Sequence, residues 1–373
     1  MQYRRLPIEI ESPENYGYGN IDCNLSESSF TDQRLADLGI DLSTLLLCYN
    51  DHKGKPALRE IIAAEANVIA EDALITPGAA AALFIVSTSL LEKGDHILVA
   101  KTNYATNIET PRTIGAELSY FKLDFDKNFE PDLQQLENSI TPQTKLVSLT
   151  YPHNPTGAMI DAETLKKIVE IIERKQTFLL LDETYRDMNF GEDVPVAAGL
   201  SEKIISISSM SKSYGLPGIR IGWLICKNKQ LMETFLAAKE QIFITNSVVD
   251  EEIACQYLVR KQELFTPVKT TIFNNFLIVK SFMRQQNLLE WVEPKGGCVC
   301  FPRIKKAIEV DTERFHKTLL EKYSTYVGRG GWFEEGNRYM RIGYSWDKTE
   351  KLEKGLSNIL KAIEESRIWV KAG

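Results

Sequence analysis

Residues 206–223 read SISSMSKSYGLPGIRIGW. Ile204 and Ile205 just before this segment and Ile207 within it read as a buried strand, ending at Ser208 or Ser209. Gly215, Pro217 and Gly218 then punctuate an irregular turn, and Lys212 falls on it. A lysine at the end of a buried strand is expensive to desolvate. It holds that place when its charge is paired or its nitrogen is used chemically.

Working outward, the chain from residue 73 to 226 alternates short apolar runs with longer amphipathic ones. The strand candidates are ALIT from Ala73, HILVA from His96, LSYF from Leu118, KLVSLT from Lys145, TFLLLD from Thr177, IISIS from Ile204 and IGWLIC from Ile221. Between them lie helical patterns such as DAETLKKIVEIIERK. There Leu165, Ile168, Val169 and Ile172 share one face, and Asp161 is placed to cap the N-terminus. Apolar strands alternating with helices predict an α/β fold: a mostly parallel seven-stranded sheet between helices. After about residue 265 the texture changes to longer helical patterns broken by PKGGCVCFP and RYMRIGYS. The expected division is an N-terminal segment with part of the small domain (1–45), a large domain (46–264) and a smaller α+β domain (265–373).

The remaining composition narrows the function. The chain has 373 residues, 43% apolar and 25% charged, with a formal net charge of -7. That is ordinary for a globular protein with a large core. No basic patch stands out, which argues against nucleic acid as a partner. No apolar run approaches membrane-spanning length, and MQYRRLPIEI has no signal-peptide core, so neither membrane nor export is expected. The six cysteines are scattered apart from the Cys298–Cys300 pair in GGCVCF. That pair reads as core packing rather than a metal or redox site. Reduced thiols in the cytoplasm and no metal centre are the expectation.

Ligands of open α/β sheets bind beyond the carboxyl ends of the strands. After ALIT come Pro77, Gly78, Ala79 and Ala80, opening a helix whose free N–H groups can meet a phosphate. On its own this is equally a plain strand–helix turn. After HILVA comes Tyr104, and after KLVSLT comes Asn154 in YPHNPTGAM. After TFLLL comes Asp182, followed by Tyr185. An aspartate ending a run of leucines needs a cation or a strong donor. These strand-end groups converge with Lys212 on one crevice. A lysine amine forms a Schiff base with an aldehyde cofactor, and pyridoxal phosphate needs an acid at its ring nitrogen. Asp182 suits that place. Asn154 and Tyr185 suit the ring oxygen, and Tyr104 the ring face. Gly78, Ala79, Ala80, Ser209 and Arg220 suit the phosphate.

With these residues in view, the chain resembles the class I/II, fold type I, pyridoxal-phosphate aminotransferases from about Tyr49 to Ser345. YPHNPTG is similar to the family's Asn-Pro-x-Gly segment and LLLDETY to its aspartate–tyrosine segment. SSMSKSYGLPGIRIGW is similar to its lysine segment, with the phosphate arginine eight residues on at Arg220. RYMRIGYS resembles the segment whose arginine, here Arg341, binds the substrate α-carboxylate. YNDHKGKPALR resembles one whose tyrosine, here Tyr49, reaches the phosphate of the neighbouring subunit. The resemblance implies a homodimer with shared sites. Lys212, Asp182 and Tyr185 are then the catalytic residues, and Arg341 and Asn154 the substrate-binding ones. It implies transfer of an amino group between an L-amino acid and a 2-oxo acid. A β-lyase, decarboxylase or amino-acid cyclase reaction on the same fold is the alternative.

The sequence also departs from that family. Ala79 and Ala80 stand where many members carry a hydroxyl residue. NLSESSF (24–30) replaces a glycine-containing loop, and ITNSVVDEEIACQYL lacks a glutamine often found before the corresponding helix. Both segments resemble regions that shape the side-chain pocket. They contain no arginine, and an acidic lining suits a neutral or basic donor better than a dicarboxylate. Glu27 in the first segment is expected to be a solvated loop carboxylate. His52 and His153 read as turn residues.

Overall fold

A computed structural model describes residues 3–368 of the chain; the outermost ends of the expected division, 1–2 and 369–373, lie outside the described residues. The thirteen strands of these residues are β1 (Cys23–Leu25), β2 (Ala73–Thr76), β3 (His96–Lys101), β4 (Glu117–Lys122), β5 (Thr144–Thr150), β6 (Phe178–Asp182), β7 (Ile204–Ser209), β8 (Gly222–Cys226), β9 (Leu289–Glu290), β10 (Val299–Cys300), β11 (Arg303–Ile304), β12 (Thr325–Arg329) and β13 (Met340–Gly343).

All seven strands expected between residues 73 and 226 are present, within a residue or two at their ends. They form one sheet in the order β2-β8-β7-β6-β5-β3-β4. Strand β8 runs antiparallel to both β2 and β7, and the other pairs are parallel. The strands are apolar because both faces are covered. In β6, Leu180 packs with Ile205, Ile207 and Leu224 under helices Gly78–Leu90 and Lys229–Ile242. Its neighbours Leu179 and Leu181 face the other way, onto Leu165, Ile168 and Ile172 of helix Ala162–Lys175. Each such fully buried side chain contributes about 1.5–3 kcal/mol. Helix Ala162–Lys175 begins where its sequence indicates: the Asp161 carboxylate accepts a 2.7 Å hydrogen bond from the Thr164 N–H, a cap that contributes about 1 kcal/mol.

A second, four-stranded sheet has the order β1-β12-β13-β10. The N-terminal strand β1 pairs in parallel with β12, and β12 and β13 are antiparallel, with Gly328 opposite Arg341. N-terminal and C-terminal segments therefore share one sheet. Cys298 and Cys300 are fully buried there, and the six thiols are free. Among the described residues no cluster could hold a metal ion, and no helix is long and apolar enough to cross a membrane.

Candidate active site

A cavity of about 450 Å³ opens at the carboxyl ends of β5, β6 and β7. Its lining includes Ala79, Ala80, Tyr104, Asn154, Asp182, Tyr185, Ser209, Lys212, Arg220 and Arg341. The crevice expected from strand ends is thus one physical space, and Arg341 of the second sheet projects into it. A larger cleft lies elsewhere, along Leu133, Met159 and Pro294, and holds none of these residues.

Asp182 is the last residue of β6 and is 7% exposed. The Thr184 N–H and hydroxyl both donate to its Oδ1, at 3.0 and 2.6 Å. Burial pushes its carboxyl above the usual range, and the two donors pull it back. A cationic N–H facing this carboxylate would hold it ionised. Asn154 Nδ2 donates to the Tyr185 hydroxyl at 3.3 Å, and Asn154 Oδ1 accepts from Arg341 Nη1 at 3.1 Å. Asn154 therefore links a phenol that can meet a ring oxygen to a guanidinium that can meet a carboxylate. Tyr104 stands at the N-cap of helix Ala105–Ile114.

Lys212 lies three residues beyond β7, and among the described residues it makes no side-chain hydrogen bond or ion pair. Burial is the main cause that lowers its amine below the ordinary lysine range, and Arg341 adds to it; Glu27 opposes both. A lysine whose amine is shifted down gives up its proton more readily, which favours attack on an aldehyde.

The opposite end of the cavity is built for an anion. The helix starting at Gly78 has φ +79° at that residue, and a Cβ there would fall 2.6 Å from Arg220 Nη2. Gly222 permits the same approach from β8, since its Cβ would fall 2.6 Å from Ala79 N. Glycine at both positions leaves free helix-terminal N–H groups beside a guanidinium. Arg220 Nη1 donates to Ser211 Oγ at 3.2 Å. Ser211 also lines the cavity, and the sequence reading overlooked it although it directly precedes Lys212.

Arg341 carries the clearest sign of a ligand-binding role. It is 4% exposed; Nη2 donates to the Ser26 carbonyl at 2.6 Å, and Nε is buried without a partner. A buried guanidinium nitrogen left unpaired costs about 1–3 kcal/mol, more for a charged group, until something accepts from it. The donor set as a whole therefore fits pyridoxal phosphate and an amino-acid carboxylate.

Two expectations come out differently. Glu27 is half-buried and lines the cavity rather than standing in solvent. Segment 244–258 contributes nothing to the cavity lining within one chain, and Arg5, Glu9 and Glu14 of the N-terminal segment do. Tyr49 is 82% exposed and outside the cavity of its own chain. His153 is structural: its imidazole bridges the Thr102 carbonyl (2.7 Å) and the Thr156 hydroxyl (2.8 Å), and burial pushes it down to about 4. His52 contacts Glu240 at the surface.

Comparison with known proteins agrees with this geometry. The model of the family "Aminotransferase class I and II" matches residues 24–359. The chain is 28% identical over 329 residues to an aspartate aminotransferase of Pyrococcus horikoshii, covering 85% of this chain and 83% of the relative. It is 27% identical over 303 residues to a capreomycidine synthase of Streptomyces vinaceus, covering 78% and 74%. The crystal structure of a PLP-dependent aminotransferase from Streptococcus suis superposes with a TM-score of 0.90 at 28% identity, covering 99% of this chain and all of that one.

Proposed function

The chain belongs to the class I and II aminotransferases, pyridoxal-phosphate enzymes of fold type I, and from that premise we propose residue roles and a donor preference. The observation that carries the reading is the unpartnered Nε of buried Arg341, a residue that lines the same cavity as Lys212. It supports a carboxylate anchor beside a reactive amine, which is what an α-amino acid requires.

Pyridoxal phosphate, when bound, supplies an aldehyde and a ring that accepts electrons. Lys212 would hold the aldehyde through its amine, and its Nζ would carry the proton at the substrate Cα. Asp182 faces the ring nitrogen, while Asn154 and Tyr185 hold the ring oxygen. Tyr104 covers the ring face. Gly78, Ala79, Ala80, Ser209 and Arg220 hold the phosphate, with Ser211 alongside. Arg341 binds the α-carboxylate as a planar fork, steadied by Asn154. The donor's side chain then points toward Glu27 and the N-terminal segment. That surroundings favours a neutral or basic side chain over a second carboxylate.

The functional unit is a homodimer in this proposal, with Tyr49 reaching the partner's phosphate site. Supporting it, Leu46, Leu47 and Tyr49 are 74%, 76% and 82% exposed in one run of the chain, an apolar strip that a partner surface would cover. The three-part division at residues 45 and 264 belongs to the same proposal, as does a cytoplasmic setting, which the free thiols suit. The capreomycidine synthase likeness supports a second reading, in which the same residues serve ring closure, elimination or decarboxylation.

The test is a single-turnover donor scan. Purified holoenzyme is mixed with each amino acid without an acceptor, and products are read by mass spectrometry. One equivalent of 2-oxo acid per site is expected from a neutral or basic donor. A cyclised, decarboxylated or β-eliminated product in its place would establish the second reading.

A further inference from the structure

We propose that Glu27 is the specificity residue of this cavity, taking the cationic end of the donor's side chain, so that the preferred donors are L-amino acids bearing an ammonium or guanidinium group. The inference rests on the reading above for the placing of the α-carboxylate at Arg341.

The charges lining the cavity leave a remainder. Lys212, Arg220 and Arg341 are assigned to the aldehyde, the phosphate and the α-carboxylate, and Asp182 to the ring nitrogen. What is left is Glu9, Glu14 and Glu27 against Arg5. Arg5 is exposed at the mouth, where its Nη2 donates to the Glu9 carbonyl at 3.2 Å.

Glu27 is the acid set deepest among these. Gly343 of β13 makes room for it: a Cβ on Gly343 would fall 1.8 Å from the Glu27 carbonyl oxygen. Its neighbour Ser26 accepts from Arg341 Nη2. Glu27 therefore sits one residue from the carboxylate anchor, within reach of an amino acid whose other end is fixed there. Its side chain is also held in place. The Tyr18 hydroxyl donates to Oε1 at 3.2 Å, and the Tyr18 ring stacks on Trp346 with centroids 5.1 Å apart. Among the described residues Glu27 forms no ion pair.

A half-buried carboxylate with only a neutral partner is costly. Burial raises the Glu27 carboxyl, and Lys212 and Arg341 are the cations that draw it down. A bound α-carboxylate neutralises Arg341 and leaves Glu27 short of positive charge. A cationic side-chain end restores it; a distal carboxylate makes the deficit worse. The unpartnered Arg341 Nε and the unpaired Glu27 thus call for the two ends of one ligand.

The test uses non-reacting analogues and isothermal titration of the holoenzyme. 5-Guanidinopentanoate and octanoate have the same length, and neither carries a primary amine that could add to the cofactor aldehyde. Wild type is expected to favour the cationic analogue by about tenfold or more, and Glu27→Gln to remove that advantage. Glu27→Asp keeps the charge and withdraws it by one methylene, so 6-guanidinohexanoate should gain on 5-guanidinopentanoate. No cationic advantage in wild type, or the same advantage in wild type and Glu27→Gln, overturns the proposal. An unmoved chain-length preference in Glu27→Asp does so as well. Because the analogues cannot react, a donor scan without any 2-oxo acid would count against transamination alone.

Discussion

At the scale of single residues, the site is a set of polar groups whose burial makes sense only with a ligand present. Asp182 is the sharpest case. Two donors from Thr184 meet one carboxylate oxygen, which is too little to hold a buried charge comfortably. In the proposed role, Asp182→Asn should retain bound cofactor but no longer hold the ring nitrogen protonated. Single-turnover release of 2-oxo acid should slow by at least ~100-fold, with cofactor content measured in the same sample. Near-normal turnover at full cofactor content would remove Asp182 from the mechanism. These residues were legible because polarity broke the apolar rhythm at strand ends: Asp182 after three leucines, Lys212 after IISIS. Arg341 needed the family resemblance, since RYMRIGYS is by itself an unremarked strand. Glu9, Glu14 and Arg5 carried no such signal. Glu9 and Glu14 lie in the short helices Pro7–Ile10 and Pro13–Tyr16 and Arg5 just precedes the first, a segment held by a distant contact, Trp332 Nε1 donating to Glu11 Oε2 at 2.6 Å.

At the scale of elements, the seven strands of the large sheet followed from periodicity because each is buried on both faces. The short strands β9, β10 and β11 have two residues apiece, too few for any period to register. The loop between β5 and helix Ala162–Lys175 depends on His153, which fastens it to the segment after β3. Nε2 donates to the Thr102 carbonyl, and because burial pushes the imidazole down to about 4 the ring is neutral at pH 7, which leaves Nδ1 to accept from the Thr156 hydroxyl. Its folded-state value is depressed to about 4 from 6.5. The unfolded chain therefore takes up the proton first on acidification. Stability contributed above pH 6.5 is lost as pH falls toward 4, by about 2 kcal/mol between pH 7 and pH 5. Glu183 opposes this: burial raises it to about 7, so its contribution is present at low pH and lost as pH rises through 7. The check is accordingly a difference. Urea unfolding free energy should fall less between pH 7 and pH 5 in His153→Gln than in wild type. Equal slopes would show that the imidazole is not held neutral.

At the scale of the whole molecule, a rigid base carries an exposed strip. Residues 50–55 are fastened beneath it: Lys239 Nζ donates to the His52 carbonyl at 2.6 Å, Asn50 donates to Glu251, and the Lys55 N–H reaches Glu251 Oε2 at 3.0 Å. Gly54 lies so close to β2 that a Cβ would fall 2.3 Å from Ile75 Cγ1. Yet Leu46, Leu47 and Tyr49, immediately before, stand in solvent. A strip anchored this firmly and left this apolar fits a surface that a second copy covers. If Tyr49 completes the partner's site, Lys212→Ala and Tyr49→Ala chains should complement each other. Lys212→Ala alone lacks the amine, and Tyr49→Ala alone should bind cofactor weakly. A hybrid dimer has one site with both groups intact. Random reassortment makes half the dimers hybrid, so roughly a quarter of wild-type activity should return on mixing. Activity no greater than the sum of the separate variants would place Tyr49 outside the partner's site. So would full turnover by a species that light scattering shows to be a monomer.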